Sequence, residues 1–166
     1  MKFVFAALAA ATIAAPFALA QGNLELGAAY SNYDADGADL GALTARGTYF
    51  FSPYAGVEGE ASFGVADDDV GASTVELDNS FAAFGVVKAP VAEQVDVFAR
   101  AGYATSEYNV STPGLGSASG DDDGFAYGVG AKVFLTDRFG LRGDFTRYDG
   151  DDVDADVISV GGVVRF

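Results

Sequence analysis

The sequence predicts an all-β fold, in which eight antiparallel strands wind up-and-down into a barrel. Three observations lead there. Eight segments between Asn23 and Phe166 alternate apolar with other residues, and successive strand side chains point to opposite faces. The connections are rich in Asp, Gly and Pro, the residues of turns. No helical periodicity interrupts the alternation.

The chain opens on MKFVFAALAAATIAAPFALA. Lys2 is followed by an apolar run to Ala15, then Pro16 and the small-x-small pattern of Ala18-Leu19-Ala20. The run is too short to span a bilayer, so residues 1–20 read as a cleavable signal peptide rather than a membrane anchor. Removal takes 20 of 166 residues and leaves 146, one exported domain over residues 21–166.

The first strand is Asn23 to Tyr33, where Leu24, Leu26, Ala28 and Tyr30 alternate with Glu25, Gly27, Ala29 and Ser31. Residues 34–39 form an Asp- and Gly-rich turn. In the second strand, Leu40 to Phe51, Leu43, Ala45, Gly47 and Tyr49 oppose Thr44, Arg46 and Thr48. Ser52-Pro53 reverses the chain, since proline has no place in a central strand. The third strand, Tyr54 to Val65, sets Val57, Gly59, Ala61 and Phe63 against Glu58, Glu60 and Ser62. A polar stretch, residues 66–79, reads as a loop.

The fourth strand, Ser80 to Lys88, alternates poorly and ends at Ala89-Pro90. The fifth, Val95 to Tyr108, sets Val97, Ala99 and Ala101 against Phe98, Arg100 and Gly102. The longest loop is expected over residues 109–124. The sixth strand, Phe125 to Leu135, sets Tyr127, Val129 and Val133 against Gly128 and Lys132. After a tight turn at residues 136–139 comes the seventh, Gly140 to Tyr148, with Leu141 and Phe145 opposite Arg142 and Asp144. The last strand, Ala155 to Phe166, puts Ile158, Val160, Val164 and Phe166 on one face and Ser159 and Arg165 on the other. These lengths are close to the ~9–11 residues a tilted strand needs to cross a bilayer.

Composition excludes a good deal of chemistry. Cysteine and histidine are both absent. No Ser-His or Cys-His nucleophile pair is possible, and no His-based zinc site. The formal charge is −15; losing Lys2 with the leader takes it to −16, which repels nucleic acid. Half of the residues are hydrophobic, too many for an acidic disordered chain.

Alternation alone does not say whether the apolar face turns inward to a core, as in a soluble β-protein, or outward to lipid. Three features favour lipid. Long connections (34–39, 66–79, 109–124, 149–154) alternate with short ones (52–53, 89–94, 136–139), as membrane barrels have long outer loops and short periplasmic turns. Aromatics gather near strand ends, at Tyr30, Tyr49, Phe51, Phe63, Tyr103, Phe125, Tyr127, Phe139, Phe145 and Phe166, as in interfacial girdles. The polar faces carry both signs of charge mid-strand. An eight-stranded barrel is just wide enough for side chains to fill it, so Arg46, Glu58, Glu60, Arg100, Lys132, Arg142 and Asp144 are expected to pair as an interior charge network.

The stretches FFSPYAGVEGE, FARAGY, GVGAKVFLTDRFGLRGDFTRY and GGVVRF resemble a known family. Across residues 21–166 the chain is similar to the small outer-membrane β-barrels: the transmembrane domain of outer-membrane protein A and the eight-stranded, porin-family adhesion and invasion barrels. The resemblance implies a Gram-negative cell outer membrane as location, with lipid and lipopolysaccharide around the barrel. It also implies that Phe166 belongs to the signal read by the barrel-assembly machinery. Enzymes of this architecture rely on a histidine that this sequence lacks, and no catalytic residue or cofactor is expected.

Of 24 acids, 17 fall at the long-loop end, with Arg147 as their basic neighbour; four are expected inward (Glu25, Glu58, Glu60, Asp144) and three at the short-turn end (Glu93, Asp96, Asp137). They read first as a solvated, self-repelling surface. The sharper alternative is divalent-cation binding, since hard cations gather several carboxylate oxygens. Asp152, Asp154 and Asp156 alternate but lack the glycine and final glutamate of a helix-loop-helix calcium site. The expected role is structural or surface-interacting; the alternative is a narrow pore passing small solutes or cations.

Overall fold

The structure is a computed structural model, and it describes residues 23–35, 38–66, 68–70, 73–112, 116–150 and 154–166. The leader at residues 1–20 lies outside them, as do Asp36, Asp67, Asp151 and Asp152. So do the side chains of Asp39, Asp68, Asp69, Glu76, Asp78, Asp121 and Asp122.

The strands are β1 Leu24–Ala35, β2 Ala38–Phe50, β3 Ala55–Ala66, β4 Asp68–Val70, β5 Ser73–Ala92, β6 Val95–Thr112, β7 Gly116–Phe134, β8 Phe139–Gly150 and β9 Asp154–Arg165. All neighbours are antiparallel. The order β3-β2-β1-β9-β8-β7-β6-β5-β4 is closed by pairing of β3 with β5. The three-residue β4 adds no stave of its own. It pairs with the start of β5, whose later residues pair with β3, so the barrel wall has the eight staves that the alternation predicts.

The short turns are built by the residues that signalled them. The Ser52 hydroxyl accepts hydrogen bonds from the Tyr54 and Ala55 amides, at 3.3 and 2.9 Å. Thr136 does the same for Arg138 and Phe139. Such hydroxyls stand in for backbone acceptors where the ladder stops. Pro90 does not end its strand. β5 runs on to Ala92, with a register irregularity between Pro90 and Ala92, a position where a missing amide is tolerated.

The long-loop end departs further from the reading. Residues 73–79 belong to β5, residues 109–112 to β6 and residues 116–124 to β7, where loops were expected. The ladder continues from Tyr103 opposite Phe125 to Thr112 opposite Gly116, nine further rungs and roughly 30 Å at ~3.3 Å each. Pairing with a neighbour sustains these strands. Residues 109–112 and 116–124 carry too few apolar side chains for alternation to signal them.

Facing follows the expected sense. Val57, Val129 and Val160 are 53%, 59% and 65% exposed on the outer wall, whereas Arg46 and Arg142 are 6% and 5% exposed within. All ten aromatics read as girdle residues point outward. The poor alternation of β5 is also explained. Ala82, Phe84 and Val86 turn inward, so both faces of that stave are largely apolar. Inside the wall, Gly102 lets strands meet closely: a Cβ there would strike the backbone of Ala83 and Phe84.

Candidate interior charge network

The seven residues predicted to line the interior are all buried, and the strands bring them into two connected groups. Residues i and i+2 share a face, so Glu58 and Glu60 from β3 and Arg142 and Asp144 from β8 enter as pairs. Arg46 comes from β2 and Arg100 from β6. Arg100 sits at the centre. Its guanidinium donates to Glu58 at 2.8 Å, Glu60 at 2.6 Å, Asp144 at 3.2 Å and the Thr146 hydroxyl at 2.6 Å. Arg46 bridges Glu60 at 2.6 Å and Asp144 at 3.0 Å. Arg142 forks onto Glu58 at 2.5 and 3.0 Å and reaches Asp144 at 2.9 Å.

Three guanidiniums and three carboxylates therefore form one neutral cluster. Each carboxylate also has hydrogen-bond donors of fixed geometry, which offsets the cost of taking it out of water. Planar forks suit such a lattice better than ammonium groups would.

Lys132 lies apart from this cluster, nearer the short-turn end. It is bonded to Glu25, which also faces Lys88 at 3.6 Å and Arg165 at 3.4 Å. Asp96 completes this second group through Lys88 at 3.6 Å and Arg165 at 3.2 Å. Here the sequence reading is corrected. Asp96 is not at the short-turn surface, because β6 begins at Val95 and turns it inward.

Aromatic rings fill the spaces between charges. Arg100 lies over Phe84 and Arg142 over Phe98, each 4.3 Å from the ring centre, and Arg165 lies 3.7 Å over Phe134. Lys88 and Lys132 share Phe50. These inward rings and the hydroxyls that finish the lattice went unassigned in the sequence. Thr48 bonds Glu58, and Tyr148 bonds Glu60 at 2.8 Å. Strand parity was the available signal, since Asp144, Thr146 and Tyr148 occupy one face. Towards the long-loop end the lining becomes a chain of hydroxyls: Ser159, Ser31, Thr44, Ser62 and Tyr33.

Outside the barrel, Arg147 draws Asp149, Asp154 and Asp156 together at 3.0–3.1 Å. Among the described residues no group of three or more acidic side chains is arranged to hold a metal ion. Phe166 is 53% exposed on the outer wall, and its amide bonds the Leu24 carbonyl at 2.8 Å across the closing seam.

A family model described as an outer membrane protein β-barrel domain matches residues 3–166. No curated protein matches the sequence. Solved structures similar to the chain include the attachment invasion locus protein Ail of Yersinia pestis, with 20% identity over 89% of this chain and all of that one (TM-score 0.63). The N-terminal β-barrel domain of Pseudomonas aeruginosa OprF shares 16% identity over 88% of this chain and 98% of its own (TM-score 0.68). Outer membrane protein OprG of the same organism shares 14% over 88% and 96% (TM-score 0.63).

The lattice predicts an uneven response to removing cations. Arg100→Met keeps the bulk but leaves three buried carboxylates with two arginines between them, an uncompensated buried charge, and should cost about 3–5 kcal/mol. Arg147→Met breaks contacts among exposed groups and should cost far less than Arg100→Met. Urea unfolding in lipid vesicles measures both. Equal losses would contradict the packing described.

Proposed function

This chain belongs to the outer membrane protein β-barrel domain family, and we propose that it acts there as a structural or surface-interacting barrel rather than a catalyst or an open pore. It lies in the outer membrane, where members of this family are structural or adhesion proteins and channels. Crossing is by strands: each stave pairs with a neighbour on both sides and the sheet closes without an open edge, the condition for a sheet in hydrocarbon.

The observation that carries the choice of surface role over pore is the neutral lattice around Arg100. Its side chain has no exposed surface, nor does that of Lys132 nearer the short-turn end. Hydrated ions would have to displace paired, desolvated charges to pass. In planar bilayers the purified barrel should give no steady single-channel steps. Regular steps of fixed size would favour the narrow pore instead.

The surface on offer is the ladder of β5, β6 and β7 above the girdle, on a chain whose acids crowd that end. Ail has been solved with the heparin analogue sucrose octasulfate. A polyanion of that kind would meet like charge here, so the partners we infer are cationic, or anionic and bridged by divalent cations. Lipopolysaccharide phosphate held through calcium is the second sort. Calcium should then raise the melting temperature more than sodium at matched ionic strength; equal shifts would leave only screening.

The ends of the chain complete the reading. Residues 1–20 are removed on export, and Phe166 is recognised during assembly at the membrane. Protein recovered from outer membranes should have the mass of a chain beginning at Gln21. Phe166→Ala should reduce the compact, fast-migrating form seen on unboiled detergent gels while leaving refolding into vesicles unchanged. Unaltered assembly in cells would remove that role from Phe166.

A further inference from the structure

We propose that the short-turn end of the barrel interior is a blind anion site, which takes one oxyanion of the carboxylate or phosphate class from the periplasmic side. Its residues are those of the second charge group. Lys88 enters from β5, Lys132 from β7 and Arg165 from β9, and they share two carboxylates, Glu25 of β1 and Asp96 of β6. The lattice around Arg100 balances three cations with three carboxylates, whereas this group has one cation in excess. The excess stands inside a chain whose formal charge is −15. Glu93, Asp137 and Arg138 on the adjoining turns are exposed and enter no ion pair among the described residues, so water screens them.

Donors in this group also go unused. The Lys88 ammonium stands 3.6 Å from Glu25 and 3.6 Å from Asp96, too far for a hydrogen bond to either, although its side chain is only 11% exposed. Its other neighbour is the Phe50 ring, whose centre is 4.0 Å away. Arg165 Nε is buried without a hydrogen-bond partner, the one such side-chain atom among the described residues. Buried polar groups nearly all have partners, so a donor left over asks for one. Lys88 and Arg165 face the same two carboxylates, so one small ligand can meet both. Water would satisfy the donors but not the excess charge. Among the rings of Phe50, Phe98 and Phe134 that charge is costly until an anion compensates it. Carboxylate and phosphate oxygens suit a guanidinium edge beside an ammonium.

Access is from the short-turn side. The Arg165 side chain is 29% exposed there and that of Asp96 13%. Deeper in, Lys132 has no exposed side-chain surface and stands opposite Arg142 in the register of β7 and β8, where the neutral lattice begins. Beyond the lattice, Leu40, Ala42, Ala126 and Val157 are buried and close the long-loop end. An anion therefore enters and leaves by one mouth and does not cross, which separates this site from a narrow pore. Short turns of membrane barrels face the periplasm, and the ligand comes from that compartment.

The test is isothermal titration calorimetry of the folded barrel in dodecyl maltoside micelles, with sodium acetate and sodium phosphate as separate probes at constant ionic strength. Wild type should show a single saturable site for at least one of them. Lys88→Met removes the excess cation and should weaken binding about tenfold or more, as expected for a lost charge-assisted hydrogen bond. Arg165→Gln should weaken it likewise, and Arg147→Met, at the opposite end, should match wild type. Lys88→Met has no hydrogen bond to lose, so it keeps the test decisive if Arg165→Gln fails to give the fast-migrating form. No saturable binding of either anion, or equal binding by wild type and Lys88→Met, would overturn the proposal.

Discussion

The seam between β1 and β9 is the constraint on which the rest depends. In hydrocarbon an open sheet edge has no partner for its amides and carbonyls, each costing several kcal/mol. Closure requires the last strand to meet the first, and it does so from Glu25 opposite Arg165 to Ala35 opposite Ala155. Once the staves number eight, the interior is just wide enough for side chains to fill it. The inward residues must then fill it and also satisfy one another. Arg100, with a carboxylate on three sides and Phe84 beneath it, does both.

This order of cause also explains why the lattice is so interlinked. An isolated guanidinium in such a space would be expelled or hydrated. Sharing Glu58, Glu60 and Asp144 among Arg46, Arg100 and Arg142 leaves every charge with more than one partner, so no single rotamer change frees an ion. The four contributing strands, β2, β3, β6 and β8, are not all sequence neighbours, and the ion pairs span up to 98 positions. Such contacts form only after the barrel has closed. The lattice holds the closed form together and gives a partly assembled sheet little.

Much of this was legible because two periodicities coincide. A period of two fixed which residues share a face, and placing charge on one face of Glu58-Gly59-Glu60 or Arg142-Gly143-Asp144 fixed which face is enclosed. The signal fades where one face no longer differs from the other. Ala82, Phe84 and Val86 are apolar and inward on a stave whose outer face is also apolar, so β5 looked irregular while its geometry is regular. Residues 109–112 and 116–124 have few apolar side chains and read as loop although they pair rung by rung. Asp96 was misplaced for a simpler reason: standing next to the turn, it was counted with the short-turn end, although as the second residue of β6 it shares the inward face of Phe98 and Arg100.

The glycines separate what the fold requires from what the membrane meets. At Gly102, Gly128 and Gly161 a Cβ would collide with a paired strand, so these positions are dictated by how closely the staves approach. At Gly59, Gly85 and Gly143 a Cβ would meet nothing closer than 3.8 Å, and all three stand on the outer wall. Interior packing cannot account for them, because their side-chain direction leads away from the interior. The interactions that shape this set lie in the bilayer. A barrel whose inside is fixed by charge pairing is thus left with its outer wall as the part of its membrane-embedded structure that answers to lipid.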